Sequence, residues 1–252
     1  MSKNKDIFTG LLICDCSGVS LPENARKTLS QPELARLDGI RHPRQAMLFL
    51  LGRYLLRHLL AERLGLAPDR IPIHIDARGK PRLEQAGWHF NISHSGDLLA
   101  LAFGNRGSLG LDIEGRQLSP PQITRLARRY LSEPEQQWLS RGTRPEADFL
   151  RLWTVKEAVL KADGGGIANN LQRVHWQPDD SCATLDQHPY RLYQYPLAHS
   201  WLTLAIDSQS EAGEALPGAE PTHLRLPDLP LELEITGQQP NLPIVPPFIT
   251  PE

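Results

Sequence analysis

Two acidic sets in this sequence have types and spacing suited to chemistry at a phosphate. In Gly110-Leu-Asp-Ile-Glu114, Asp112 and Glu114 lie two residues apart. On a strand both carboxylates then face one side while Leu111 and Ile113 face the other. Paired carboxylates repel unless a cation lies between them, and hard oxygen ligands suit Mg²⁺. A half-buried strand with a solvated outer face gives the same pattern. In Trp153-Thr-Val-Lys-Glu-Ala-Val-Leu-Lys161, helical spacing puts Trp153, Glu157 and Lys161 on one face. A Glu–Lys pair at this spacing is commonly a surface salt bridge worth roughly a few tenths of a kcal/mol. The chemical alternative is that Glu157 completes a three-carboxylate metal site and Lys161 binds a phosphate that the metal bridges.

Two further segments suit a nucleotide. Arg78-Gly-Lys-Pro81 is a tight turn carrying two cations, able to grip a phosphate or to be a turn and nothing more. Phe90-Asn-Ile-Ser-His-Ser-Gly96 runs a strand into a turn, with Ser93 and His94 at the strand's end. Donors from Ser, His and backbone N–H there suit a diphosphate; a histidine that only caps the turn is the competing explanation.

These residues need elements to hold them. Segment 8–14 reads as an opening strand, and Ser30 with Glu33 as the capped start of a short helix. Residues 43–64 form the clearest helix, with Pro43 in its first turn, Gly65 at its end and apolar residues around most of its circumference, as in a core helix. Strands are expected at 71–76, 86–92, 98–103 and 108–114. The polar, basic region 116–142 holds a helix over 123–131 and another starting at Ser132. A long helix should run from Glu146 to Ala162 and end at Gly164-Gly-Gly166. Strands are expected near 171–176, 190–195 and 200–206. His94-Ser-Gly-Asp-Leu-Leu-Ala-Leu-Ala-Phe103 is echoed by His199-Ser-Trp-Leu-Thr-Leu-Ala-Ile206, a hint of duplication. Beyond residue 208 the chain is rich in Pro, Glu and Gly and reads as an extended tail.

Composition narrows the function. Among 252 residues, 27 basic and 29 acidic side chains leave a net charge of −2, which supports no global attraction to nucleic acid or to a membrane. The apolar run Ala46–Leu51 is too short to span a bilayer. The first residues lack the apolar core of a signal peptide. Cys14, Cys16 and Cys182 complete no zinc pattern and read as free thiols of a cytoplasmic protein.

Taken in order, Gly79-Lys-Pro81, Phe90-Asn-Ile-Ser-His-Ser95, Gly110-Leu-Asp-Ile-Glu114 and Trp153-Thr-Val-Lys-Glu-Ala-Val-Leu-Lys161 resemble the 4′-phosphopantetheinyl transferase superfamily. The helix bearing Gly52-Arg-Tyr-Leu-Leu-Arg57 also looks like that family's N-terminal Arg-bearing helix. The length is similar to the double-size, surfactin-synthetase-activating branch, and the Trp and Lys-Glu-Ala wording to its subgroup serving fatty-acid, polyketide and some peptide synthases. The resemblance implies an α+β fold of two similar halves related by pseudo-twofold symmetry, residues 1–107 and 108–208, followed by the Pro-rich tail 209–252. It implies a cytoplasmic monomer that moves the phosphopantetheine arm of coenzyme A, its co-substrate, onto a serine of an apo acyl or peptidyl carrier protein and releases 3′,5′-ADP. Asp112, Glu114 and Glu157 would hold Mg²⁺, or Mn²⁺ in its place. Lys161, Ser93 and His94 would bind the diphosphate. Lys80 and Arg78, with Arg53 or Arg44, would meet the 3′-phosphate, and Glu157 would take the serine proton. A Mg²⁺-dependent phosphohydrolase and a non-catalytic scaffold are the rival readings.

Overall fold

The computed structural model describes residues 9–17, 19, 21, 23–84, 87–105 and 107–210, with two strands at 222–225 and 232–237. The chain opens with strand β1 (Thr9–Asp15), then helices α1 (Gln31–Asp38) and α2 (Pro43–Leu64). A small hairpin, β2 (Ile73–Ile75) and β3 (Pro81–Leu83), precedes β4 (His89–Ser95), β5 (Leu98–Gly104) and β6 (Leu109–Glu114). Helices α3 (Pro120–Tyr130), α4 (Glu133–Arg141) and α5 (Pro145–Asp163) follow. The chain then continues through β7 (Val174–His175), β8 (Cys182–Leu185), β9 (His188–Leu197), β10 (Ser200–Asp207), β11 (Thr222–Arg225) and β12 (Glu232–Gly237).

Local chemistry sets the boundaries. Ser30 with Glu33, Ser119 with Gln122 and Ser132 with Glu135 each form a capping box, so six orphan donors at three helix starts find acceptors. The helices α2 and α5 both end at a glycine in the left-handed region, Gly65 and Gly164. The helix α2 occupies the expected span, whereas the helix expected over 123–131 begins earlier, at the Ser119–Pro120 cap. The short strands β3 and β8 were not expected. Within the Pro-rich tail β11 and β12 form an antiparallel pair, and β12 adds to the edge of β1 with Gly10 opposite Gly237; the rest of the tail lies outside the described residues.

Two five-stranded sheets carry the architecture, in the orders β11-β12-β1-β5-β4 and β6-β10-β9-β8-β7. Strand alternation sends each side chain to one of two layers. Leu11, Ala100 and Ala102 of the first sheet meet Leu111, Ile113, Leu202 and Leu204 of the second in one apolar layer. On the far face of the first sheet, Leu12, Leu99, Leu101 and Phe103 pack against Leu51, Leu55 and Leu59 of α2. On the far face of the second, Leu192 and Ala205 pack against Val155, Ala158 and Val159 of α5. Each fully buried leucine in these layers stabilises by about 1.5–3 kcal/mol. Among the described residues no helix is long and apolar enough to cross a membrane, and all three cysteines are free thiols, Cys14 and Cys16 buried.

Candidate active site at the seam between the sheets

The strands β4 and β6 are the edges of their sheets, and they meet. An edge strand presents backbone N–H groups that need partners. Side chains of β4 supply them: the N–H of Leu111 donates to Asn91 Oδ1 at 3.2 Å, that of Ile113 to Ser93 Oγ at 3.3 Å, and that of Gly115 to Ser95 Oγ at 2.9 Å. A hydroxyl both accepts and donates. Ser93 Oγ therefore passes its proton onward to Asp112 Oδ1 at 2.9 Å, and Ser95 Oγ to Glu114 Oε1 at 2.9 Å.

With Leu111 and Ile113 committed to the core between the sheets, Gly110, Asp112 and Glu114 face α5, as the alternation requires. Gly110 allows the approach: a Cβ there would fall 2.8 Å from the carbonyl carbon of Lys161 and nearer still to backbone atoms of Ala158 and Ala162. From α5, Lys161 Nζ reaches Asp112 Oδ1 at 2.5 Å, Ser93 Oγ at 3.2 Å and Glu157 Oε2 at 3.6 Å. Asp112 is only 4% exposed. Desolvation, with a smaller contribution from the Glu157 carboxylate, raises its pKa to about 7 against the opposing pull of Lys161. Glu114 accepts the N–H groups of Gly115 and Arg116, both at 3.0 Å, and its Oε2 lies 3.2 Å from Arg116 Nε. That guanidinium in turn sits 4.6 Å above the Trp153 ring.

The three carboxylates thus share one side of the seam. Among the described residues, no three His, Cys, Asp or Glu groups converge into a closed metal cage; the Lys161 ammonium bridges Asp112 and Glu157 instead. The donor set itself is all oxygen, three carboxyl groups set against the cations of Lys161 and Arg116. That chemistry fits a hard divalent cation.

Beside the seam, between α1, α2, the β2–β3 hairpin and β4, opens a cleft of about 660 Å³ lined by Arg36, Phe49, Arg53, Phe90, Asn91 and His94, among others. Arg53 is buried, lies 5.4 Å from the Phe49 ring and 5.5 Å from the Phe90 ring, and is 3.5 Å from Glu33 Oε1. Neither its Nε nor its Nη1 makes a hydrogen bond, and burial lowers its pKa to about 10. Arg57, one turn further on, is different. It donates to Glu33 at 2.6 and 3.0 Å and to the carbonyls of Pro68 and Ile71, so it is a structural cation. His94 stands exposed at the cleft, where partial desolvation and the Lys161 ammonium lower its pKa.

The sequence-predicted residues therefore divide. The structure gathers Asp112, Glu114, Glu157, Lys161 and Ser93 at the seam, with His94 and Arg53 in the adjoining cleft. Arg44 is elsewhere, donating to the Cys16 carbonyl at 3.0 Å and paired with Asp97. Lys80 and Arg78 reach the C-terminal end of α5 rather than the cleft. Sequence reasoning missed Arg36, Asn91, Ser95 and Arg116. The two-residue spacing of Asn91, Ser93 and Ser95 was a readable signal for three polar side chains on one strand face; Arg36 and Arg116 carried none.

Comparison with known proteins identifies the family. The 4′-phosphopantetheinyl transferase superfamily profile matches residues 108–202, and the 4′-phosphopantetheinyl transferase N-terminal profile matches residues 23–105. The 4′-phosphopantetheinyl transferase HetI of Nostoc sp. (strain PCC 7120) is 34% identical over 198 residues, 76% of this chain and 79% of HetI. The 4′-phosphopantetheinyl transferase psf-1 of Bacillus pumilus is 35% identical over 159 residues, 59% of this chain and 66% of psf-1. The L-aminoadipate-semialdehyde dehydrogenase-phosphopantetheinyl transferase of Xenopus laevis is 32% identical over 161 residues, 58% of this chain and 53% of that protein. With β6 and α5 inside one profile, β4 and α2 inside the other, and the acidic seam between them, the chain belongs to the 4′-phosphopantetheinyl transferase superfamily.

Proposed function

We propose that this protein transfers the 4′-phosphopantetheine group of coenzyme A to a serine of an apo acyl or peptidyl carrier protein, releasing 3′,5′-ADP. The observation that carries this reading is the Lys161–Asp112–Glu157–Ser93 cluster at the seam, beside a cleft holding the incompletely paired guanidinium of Arg53. Ser93, His94 and Lys161 bind the diphosphate, and Arg53 meets the 3′-phosphate, the role for which its two nitrogens without a hydrogen bond and its aromatic flanks suit it. Arg44, Arg78 and Lys80 have their cations engaged elsewhere and suit that role less well.

The carrier serine oxygen attacks the pantetheine-side phosphorus, the bond from that phosphorus to the oxygen of 3′,5′-ADP breaks, and Glu157 takes the serine proton. Lys161 neutralises charge on the phosphate oxygens as it grows. Asp112, Glu114 and Glu157 would hold Mg²⁺, with Mn²⁺ as an alternative, and the ion would supply further charge neutralisation at the diphosphate. Ser95 and Arg116 fix the rotamer of Glu114 from either side. Each half places one long helix on an antiparallel sheet; this supports residues 1–107 and 108–208 as pseudo-twofold copies in a monomer of the double-size branch. Arg125, Arg128 and Arg129 flank a shallow concavity on α3 and suit the acidic surroundings of a carrier serine.

Intact-mass spectrometry tests the reading. An apo carrier incubated with the protein, coenzyme A and Mg²⁺ should gain one phosphopantetheine mass, and EDTA should abolish the gain. No gain on fatty-acid, polyketide and peptide carriers alike, with coenzyme A still bound, would establish a scaffold instead.

A further inference from the structure

The β2–β3 hairpin divides its side chains between two sides. Ile75, Gly79 and Pro81 line the cleft beside Arg53 and His94. Lys80 and Arg82 face the other way, toward the end of α5, where Arg82 Nη2 and Lys80 Cδ would lie 2.9 and 3.4 Å from a Cβ on Gly164. Asp76 builds this turn. Its Oδ1 accepts the N–H groups of Arg78 and Lys80, both at 2.9 Å, and its Oδ2 accepts Arg82 Nε at 2.7 Å.

An α-helix leaves its last carbonyls without intrahelical donors, and they carry partial negative charge. At α5 the donors come from outside. Lys80 Nζ donates to the Lys161 carbonyl and, at 3.4 Å, to that of Ala162; Ser108 Oγ donates to Ala162; Arg78 Nη1 reaches the Gly164 carbonyl at 3.4 Å. Lys161 is therefore held at both ends, its carbonyl by Lys80 and its ammonium by Asp112. Burial, with help from Arg82, lowers the Lys80 pKa to about 8, in keeping with an ammonium set among protein groups rather than in the open cleft.

We propose that Lys80 is a positioning residue for Lys161, fixing the last turn of α5 to the β2–β3 hairpin, and that it makes no contact with the 3′-phosphate of coenzyme A. The proposal rests on the transferase reading for the identity of the ligand, and on geometry alone for the capping role. The neighbouring residues decide the direction. Gly79 and Pro81 give their surface to the cleft, while the Lys80 ammonium between them is spent on the Lys161 and Ala162 carbonyls.

The test compares coenzyme A with 3′-dephospho-coenzyme A, which lacks only that phosphate, on Lys80→Met and Arg53→Gln proteins. Calorimetry should give Lys80→Met the wild-type ratio of the two dissociation constants within about twofold, and should show that ratio falling at least about tenfold in Arg53→Gln. Hydrogen exchange should show the amides of residues 161–164 opening about tenfold faster in Lys80→Met and unchanged in Arg53→Gln. With an apo carrier, Lys80→Met should lower kcat by the same factor for both co-substrates. Ser108→Ala removes a second donor from the same helix end, so it should reproduce the exchange signature and keep the ratio even if Lys80→Met does not fold. A Lys80→Met protein that loses its discrimination between the two ligands, with α5 exchange unchanged, would overturn the proposal. So would wild-type exchange in both capping variants. A wild-type protein that modifies no carrier would sink the transferase reading alone, because the exchange measurement needs no turnover.

Discussion

Gly110→Ala tests whether β6 and α5 must touch for the site to work. The added Cβ would lie 2.8 Å from the Lys161 carbonyl carbon, where ordinary contact begins at 3.4 Å, so this atom alone requires a retreat of 0.6 Å (3.4 − 2.8). The oxygen of Ala158 and the nitrogen of Ala162 are nearer and require more. All three belong to the helix backbone, so no rotamer change relieves the clash and α5 must move as a body. Overpacking of this kind costs about 1–3 kcal/mol. Lys161 and Glu157 travel with the helix while Asp112 and Ser93 stay with the strands, and a misplacement of about 1 Å costs roughly a hundredfold in rate. We expect urea unfolding to show a loss of about 1–3 kcal/mol, and carrier modification to slow at least about tenfold. Coenzyme A affinity should change less, because Arg53 sits on α2. Wild-type stability together with wild-type turnover would refute the reasoning, since it would mean that α5 does not approach β6 this closely.

Other expectations can be checked on the same scale. Glu157→Gln should nearly abolish carrier modification while leaving the unfolding free energy within about 0.5 kcal/mol of wild type; near-normal turnover would overturn the proposed role of Glu157 as base. Lys156 is fully buried, 2.9 Å from Glu135 and bonded to the carbonyls of Leu171 and Val174. Lys156→Met should therefore cost about 3–5 kcal/mol in urea unfolding by stranding the Glu135 charge, and adding Glu135→Gln should recover part of it. Burial raises the Cys14 pKa from 9.0 to about 12. The folded thiol keeps its proton while the unfolded one ionises, so its contribution is full below pH 9 and declines above it. The stability of wild type relative to Cys14→Ala should fall above pH 9 with a slope that approaches about 1.4 kcal/mol per pH unit by about pH 10.5; parallel pH profiles would contradict this. Reversing the charges of Arg125, Arg128 and Arg129 should raise KM for the carrier and leave KM for coenzyme A unchanged, with steady-state kinetics at two salt concentrations as the check.

Much of this was legible in the sequence because the signals were local. The alternation in Leu109–Glu114 fixes which side Asp112 takes, and the four-residue spacing of Glu157 and Lys161 survives in any helix. What escaped was set by tertiary placement. Arg44, Arg53 and Arg57 read alike on α2, yet only the placement of Asp97, Glu33 and the Pro68 and Ile71 carbonyls leaves Arg53 with unmatched N–H groups. Lys80 read as a phosphate-facing cation because spacing in a turn does not show which side of a hairpin faces the cleft. The strand β8 is four residues long, too short for periodicity to register. The Trp153-to-Lys161 run also concealed a division of labour. Lys156 and Glu157 are neighbours in sequence, but a helix turns them about 100° apart, one into the core and one toward the seam.

The splice between β4 and β6 makes the reactive cluster the polar edge of the joint between the two sheets, beside the apolar layer that they share. Ser93 accepts from the Ile113 backbone with the oxygen that donates to Asp112. A molecule bound across that line therefore acts as a fastener. By mass action it favours the joined state by RT ln(1 + [L]/Kd), about 2.7 kcal/mol at a hundredfold excess over Kd. Conversely, any fluctuation that parts the two edge strands dismantles the site before either apolar helix layer is disturbed. Loss of ligand affinity should thus precede loss of secondary structure on warming, because the β4–β6 edges are bonded by polar side chains while the layers behind them are held by buried apolar side chains.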